Sequence, residues 1–457
     1  MDLVQYYIDA LCKVNDSFSM LKTENKPEKS GRIEVLDFIR ALAIIHVFVF
    51  HYYMEWFKGS FMLIPQGIQA NLPRLEIFKD GGIIGLIKNL FSFLFFYGFS
   101  AVNVFLVVSG FVLTYSLLSK KNKSEQLGGG SRNGIFKWIW GWLIYYWKKF
   151  KRILLPFYAS VVVGIFLLYF RNIVFPTLAG APVYNWIDGL KLLFFPFLVF
   201  DMALVQKFNG DYWFVPLILQ MYLIFPFLFF LLKKMKVLKF LILMLIICAS
   251  FRFYATYFLD SVPIAVSWPS KNGYLYFSFF LPRIFEFSFG MVLGYLHYFK
   301  GGVLAFLGRI RFFALGAIMA YTGYVFLMYK WGWVFSDLLM GTGLFPMLLG
   351  LANLIAKNKW GEIALKKIGK LSYPIYLLHH YFLNYTLLPL LIVLGLAGNE
   401  TAFWLVLLPY SILSVGLGQV AEWLELAWSM LLGSLKSRLI PRADLSPNLK
   451  FPGRYPP

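Results

Sequence analysis

Cysteine and charge are what this 457-residue chain has least of. Its two cysteines, Cys12 and Cys248, lie far apart in unlike surroundings. That excludes a disulfide framework, a thiolate metal site and an evident cysteine nucleophile. Charged residues make up 14% of the chain, where a soluble protein carries about 25%. Acidic residues are the scarcer kind: 22 Asp and Glu against 43 Lys and Arg leave a net charge of +21. Such an excess can serve nucleic acid, but there is no soluble basic domain to bind it, so no nucleic-acid partner is expected. No two histidines show HExxH-like spacing, and no metal is expected. Gly128-Gly-Gly-Ser131 lacks the Gly-Lys-Ser/Thr ending of a phosphate-cradling loop. Internal repeats of the kind that build transporters are also missing.

What is present in abundance is apolar surface. Hydrophobic residues are 60% of the chain, aromatic residues 20%, with 50 phenylalanines, and the mean hydropathy is +0.68. Hydrophobic runs fall at about 34–56, 90–118, 153–171, 213–232, 239–258, 278–299, 312–330, 336–356, 372–397 and 403–433. Each is near or above the length needed to cross a bilayer. The chain therefore reads as an all-α integral membrane protein with about ten transmembrane helices, multi-pass in the plasma membrane. The shorter piece at 190–200 holds Pro196 and reads as interfacial or re-entrant.

Positive charge orients such a chain. The connection after the second run carries Lys120, Lys121, Lys123, Arg132, Lys137, Lys148, Lys149, Lys151 and Arg152 against Glu125. Further basic groups follow runs four, six and eight, while the alternate connections are mixed or nearly neutral. Both termini are thus expected on the cytoplasmic side. Residues 1–32 read as a polar cytoplasmic segment without a cleavable signal peptide. Residues 33–433 read as the membrane domain, and 434–457 as a basic, proline-rich cytoplasmic tail.

The most informative run is 34–56, because it carries Asp37, Arg40, His46, His51 and Glu55. Ionisable groups cost several kcal/mol inside lipid unless they face protein or water. Arg40 and His51 are eleven residues apart, which returns them to within about 20° of one face and separates them by about 16 Å along the axis. Asp37 and Glu55 extend that face, and His46 points away from it. A polar stripe of this kind glues helices together or carries chemistry. For chemistry, His51 is a general base oriented by Glu55, and Arg40 holds an anionic substrate group.

Other constellations are less sharp. Lys148-Lys149-Phe150-Lys151-Arg152 stands where a span enters from the cytoplasm. It reads as topology control or as a dock for a polyanionic donor, most economically the phosphates of a coenzyme A thioester. Lys149 and Arg152, one helical turn apart, share that role best. Arg283 and Glu286 form either a local ion pair with close packing at Gly290 and Gly294 or a substrate contact. Ser372, Tyr376 and His379 share a helix face, with His380 beside them. His379 ranks behind His51 as a base.

Six motifs in one order carry a resemblance. They are Leu36-Asp37-Phe-Ile-Arg40 with His51 beyond it, Val104-Phe-Leu-Val-Val-Ser-Gly110-Phe, Lys149-x-x-Arg152 with Pro156, Trp213-Phe-Val-Pro-Leu with Gln220-Met-Tyr222-x-x-x-Pro226, Arg283-Ile-Phe-Glu286-Phe-x-x-Gly290-Met-x-x-Gly294, and Leu371-Ser-Tyr-Pro-Ile-Tyr376-Leu-Leu-His379. Over roughly residues 33–400 the chain resembles the acyltransferase-3 family of integral membrane acyltransferases, which modify carbohydrates and lipid-linked envelope glycans. The resemblance implies an acyl-CoA donor, acetyl-CoA in the first place, taken from the cytoplasm, and a sugar hydroxyl as acceptor. It implies no permanently bound cofactor. It marks His51 as catalytic, Arg40 as essential, and Lys149 and Arg152, with Lys148 beside them, as donor-binding. Arg283, Glu286, Tyr376, His379 and Trp213 are the substrate-binding candidates, and Asp37 and Glu55 join the catalytic set. The chain departs from the family in carrying Lys149 where Arg is usual and Asn103 where many members have Asp. No SGNH-type esterase domain follows the membrane part, which implies transfer alone or with a partner.

The expected function is therefore O-acyl transfer from a cytoplasmic acyl-CoA to a glycan hydroxyl. The rival is a glycan or acyl-donor exporter without chemistry of its own, since intramembrane Arg, His and Glu fit that as well. Acetyl against succinyl, the sugar and the oligomeric state stay open at this stage.

Overall fold

In the computed structural model, residues 33–439 are described apart from 60–61, 77, 79–80, 127–134, 177–190, 192–208, 268–275 and 277. The re-entrant piece expected at 190–200, the segment 1–32 and the tail beyond 439 lie outside the described residues. Eleven helices carry the architecture: α1 Glu34–Trp56, α2 Gly82–Phe96, α3 Ala101–Gln126, α4 Ile135–Val174, α5 Phe214–Lys234, α6 Val237–Phe258, α7 Ile284–Lys300, α8 Ile310–Leu327, α9 Trp333–Ile355, α10 Lys359–Phe382 and α11 Glu400–Leu439. Among the described residues there is no strand, only isolated bridges pairing Leu63 with Val266 and Gln66 with Tyr329.

Among the described residues, nine stretches are helical for at least 18 residues and apolar enough to cross a membrane. The run at 278–299 supplies a further helix, α7, which at 17 residues falls just short of that length. The all-α multi-pass class follows. Helix extents differ from the apolar runs in an instructive way. α4 begins at Ile135 rather than at 153, α10 begins at Lys359 rather than at 372, and α11 continues to Leu439, past the expected boundary at 433. Hydropathy marks the lipid-soluble part of a helix, whereas the backbone ladder continues into polar sequence. The second run bends through a 3₁₀ turn, Tyr97–Ser100, that separates α2 from α3.

α1 is an interior helix. Most of its length is buried, while α6, α8 and α11 turn most of their apolar residues outward. It packs on α10, α9, α3 and α2, so its polar stripe faces protein rather than lipid, as the cost of charge in a bilayer requires. Small residues bring the backbones together. A Cβ at Gly369 of α10 would stand 2.0 Å from the Asp37 carbonyl oxygen of α1. Between α7 and α3, a Cβ at Gly290 would stand 1.9 Å from the Val107 carbonyl oxygen, and one at Gly294 2.5 Å from that of Phe111. The glycine pair in α7 therefore acts through packing.

Candidate active site

Two sites divide α1 between them. At its first turns, Arg40 Nη1 donates to Asp37 Oδ1 at 2.9 Å, and both residues line a cavity of about 170 Å³. Lys149 and Arg152 of α4 and Lys370 of α10 line the same cavity, together with Tyr376. Four cations and the Asp37 carboxylate thus stand around one small space, a net positive lining that suits an anion. Lys149 and Arg152 enter it together because they sit one turn apart. Lys148, one residue round the helix, is exposed and is not in the lining. It does not join the cavity, which corrects its grouping with the other two. Lys370 was missed in the sequence, where it read as one more cytoplasmic lysine after run eight.

The second site lies further along α1, where His51 meets Asp211. His51 Nε2 is 3.0 Å from Asp211 Oδ1. Asp211 sits in a 3₁₀ turn, Gly210–Trp213, just ahead of α5. The Asn209 side chain caps that turn by accepting from the Asp211 amide at 3.0 Å, and it donates to the Leu377 carbonyl of α10 at 3.0 Å. The Tyr376 hydroxyl donates to the Asp211 carbonyl. The turn is thus pinned against the helix that supplies two more imidazoles. His379 Nε2 lies 3.3 Å from Asp211 Oδ2 and 3.0 Å from His51 Nδ1. His380 Nδ1 lies 3.3 Å from the same Oδ2, and its Nε2 lies 3.2 Å from Glu55 Oε1. A π-helical turn, Leu383–Leu387, follows the two histidines directly, a local irregularity often found beside functional groups.

This geometry revises the role of Glu55. It pairs with His380, and the carboxylate that orients His51 is Asp211. Glu55 missed its assigned partner because an i, i+4 reading cannot see a residue arriving from another helix. Tyr376 spans both sites, lining the cavity while bonding the turn that carries Asp211. Trp213 is buried at the end of that turn, edge-on to Phe214 with ring centroids 5.9 Å apart, so it supports the turn. His46, turned off the stripe, bonds the Leu94 carbonyl.

Ring protons can be assigned from the partners of each nitrogen. His379 Nδ1 faces the Ile375 carbonyl at 2.9 Å and so carries a proton. His380 has a carboxylate oxygen against each nitrogen and donates from both. His51 Nε2 faces Asp211 Oδ1, and its Nδ1 faces both the Val47 carbonyl of its own helix and His379 Nε2, each at 3.0 Å.

His51, Asp211 and His379 each present one ligand atom within 4.8 Å of the others, a set that in kind suits a divalent transition ion. The expectation of no metal rested on local spacing, and these residues come from three separate elements. The separations of 3.0 to 3.3 Å and the third imidazole on the same carboxylate fit a hydrogen-bonded network as it stands.

Arg283 and Glu286 belong to neither site. Arg252 of α6 donates to Glu286 Oε1 at 2.7 Å, and Arg283 lies 3.1 Å from Asp337 Oδ2 of α9. Arg283 also donates to Asn103 Oδ1 at 2.8 Å. All five side chains are buried, and two guanidiniums face two carboxylates. Such a closed, balanced cluster ties α3, α6, α7 and α9 together, which replaces the substrate-contact role with a structural one.

A family model described as an acyltransferase domain matches residues 33–423. The chain belongs to the acyltransferase-3 family. It is an acyltransferase of the multi-pass membrane kind, and the matched span contains the basic cavity and the histidine cluster alike. No curated protein and no solved structure matches the chain. Within this family member, Asp211, His380 and Lys370 are the residues that the sequence did not single out. The available signal for Asp211 was an acidic group at the mouth of an apolar run, and for His380 its adjacency to His379.

Proposed function

We propose that this acyltransferase moves an acyl group, acetyl in the first place, from a cytoplasmic acyl-CoA to a sugar hydroxyl of a cell-envelope glycan. It would do so in the plasma membrane with both termini inside. The observation that carries this reading is that one buried helix, α1, gives Arg40 to a polycationic cavity and His51 to an imidazole–carboxylate cluster, about 16 Å apart along the axis. Arg40, Lys149, Arg152 and Lys370 would hold the donor's phosphates. At that separation Arg40 serves the phosphates rather than the reacting carbonyl.

His51 serves as the base, its ring held by Asp211 at 3.0 Å. His51 takes the acceptor hydroxyl's proton as the oxygen attacks the thioester carbonyl. The C–O bond forms, the C–S bond breaks, and the proton passes from the imidazolium to the departing thiolate to give free CoA. Asp211 stabilises the imidazolium in between. Tyr376, touching both sites, is the natural place for the thioester arm to pass.

The test follows free CoA released by purified protein from acetyl-CoA, with and without envelope-glycan acceptors, for wild type and His51→Ala. Acceptor-dependent release that disappears in the folded variant supports the assignment. Absence of release from wild type with several acceptors favours an exporter. Release that survives in His51→Ala moves the base to His379.

A further inference from the structure

In each of three helices the lining of the basic cavity ends on an aromatic ring. Phe105 is the first lining residue of α3, Phe214 the first of α5 and Tyr376 the last of α10. These ends face the histidine cluster. Phe214 directly follows the Gly210–Trp213 turn that carries Asp211, and the Tyr376 ring lies 6.2 Å from that of His379. The three rings also meet one another. Centroids of Phe105 and Phe214 are 6.4 Å apart, and those of Phe214 and Tyr376 are 5.6 Å apart. Phe214 and Tyr376 are buried and Phe105 is partly buried. Lys370 stands six residues before Tyr376 on α10, which separates it from the ring by about 9 Å along the axis. The cavity therefore has a cationic part and, toward His51, an aromatic end.

We infer that Phe105, Phe214 and Tyr376 are specificity-determining residues: they form the wall against which the acyl group rests, admitting acetyl and excluding longer chains. The inference rests on the transferase reading above. With the donor's phosphates at the cations, its thioester arm runs toward His51 and brings the acyl carbon against the three rings. Each methylene added to that carbon then has to displace a ring. The rings are held in place. The Tyr376 hydroxyl bonds the Asp211 carbonyl, and Phe214 is in ring contact with Phe105, Tyr376 and, at 5.9 Å, Trp213. Extra methylenes in so packed a place force side chains off their rotamers. An apolar pocket of fixed shape discriminates by about 10- to 200-fold for one methylene.

The test is the ratio of kcat/KM for butyryl-CoA to that for acetyl-CoA, read from CoA released by the purified full chain with an envelope-glycan acceptor. The folded fraction cancels in this ratio, so a ring that only supports the fold lowers both constants and leaves the ratio unchanged. Wild type should prefer acetyl-CoA by at least about 100-fold, and Phe214→Ala should narrow that preference by at least about tenfold. An unchanged ratio in Phe214→Ala overturns the proposal, and so does a wild type that uses both donors equally. If Phe214→Ala fails to fold, Phe105→Ala decides: narrowing of the same size supports the aromatic wall, and an unchanged ratio overturns it. Wild type that releases no CoA from either donor, with several acceptors, sinks the transferase reading instead. That result is distinct from release with an unaltered ratio.

Discussion

Nε2 of His51 stands 3.0 Å from Oδ1 of Asp211, joining the last turns of a buried helix to a turn at the mouth of another. The contact turns an isolated intramembrane histidine into an oriented one. It also makes Asp211 the shared anchor of three imidazoles.

Asp211→Asn keeps the shape of the turn and removes that charge. With one side of the amide donating rather than accepting, His51 loses its fixed tautomer. Turnover should fall by about 10³- to 10⁴-fold, the scale seen when an orienting aspartate is lost from a histidine base. Donor affinity should stay near wild type. Steady-state CoA release together with acyl-CoA binding checks this. A variant that retains more than a tenth of wild-type kcat would show that Asp211 does not serve the chemistry.

The cavity makes a sharper distinction among lysines than the sequence does. Lys370 lines it and Lys148 does not. Lys370→Ala should raise KM for acyl-CoA about tenfold, near 1.4 kcal/mol, with kcat little changed, as expected for lost uniform binding. Lys148→Ala should leave both constants near wild type. Lys149→Arg should lower KM, because a forked guanidinium grips phosphate where an ammonium makes a point contact. Equal effects from Lys148→Ala and Lys370→Ala would mean that general surface charge, and not this cavity, recruits the donor.

How far these features could be read from residues alone depends on their range. The spans were legible because a bilayer imposes a length and a composition. The shared face of Arg40 and His51 was legible because it needs only helical geometry within one segment, as does the pairing of Lys149 with Arg152. The structure keeps Arg40 and Lys149 together in the lining of one cavity. The partners of His51 were not legible. Asp211 and His379 arrive from elements far along the chain, and periodicity within one helix carries no information about them. Glu55 and Arg283 show the same limit from the other side. Each had a plausible neighbour in sequence, and in space Glu55 found His380 and Arg283 found Asp337.

The closed ion cluster explains one departure from the family pattern. Asn103 accepts from Arg283 inside a set in which Arg252 and Arg283 already balance Glu286 and Asp337. Asn103→Asp would add a third carboxylate with no further cation, in a place where an uncompensated charge is costly. Thermal stability in detergent should drop by several degrees, with kcat per folded molecule nearly unchanged because Asn103 lines neither site. Adding Asp337→Asn to Asn103→Asp restores the balance and should recover most of the loss. A double variant less stable than either single one would mean that geometry, rather than charge count, governs this cluster.

The histidine cluster also raises the question of metal, since His51, His379 and Asp211 offer three ligand atoms of suitable kind. Two arrangements compete for the same lone pairs. In one, a transition ion binds both imidazoles and the carboxylate. In the other, the rings of His51 and His379 contact each other at 3.0 Å and Asp211 is shared with His380. An ion at these nitrogens would displace the hydrogen bond that holds His51 to Asp211 at 3.0 Å and orients it as a base. Prolonged dialysis against a strong chelator should therefore leave CoA release unchanged, and added Zn²⁺ should inhibit by occupying the rings. Elemental analysis of the purified protein, before and after dialysis, provides the direct count. One equivalent of metal lost together with activity, and both restored by the ion, would replace the general base with a metal-bound nucleophile at the same three residues.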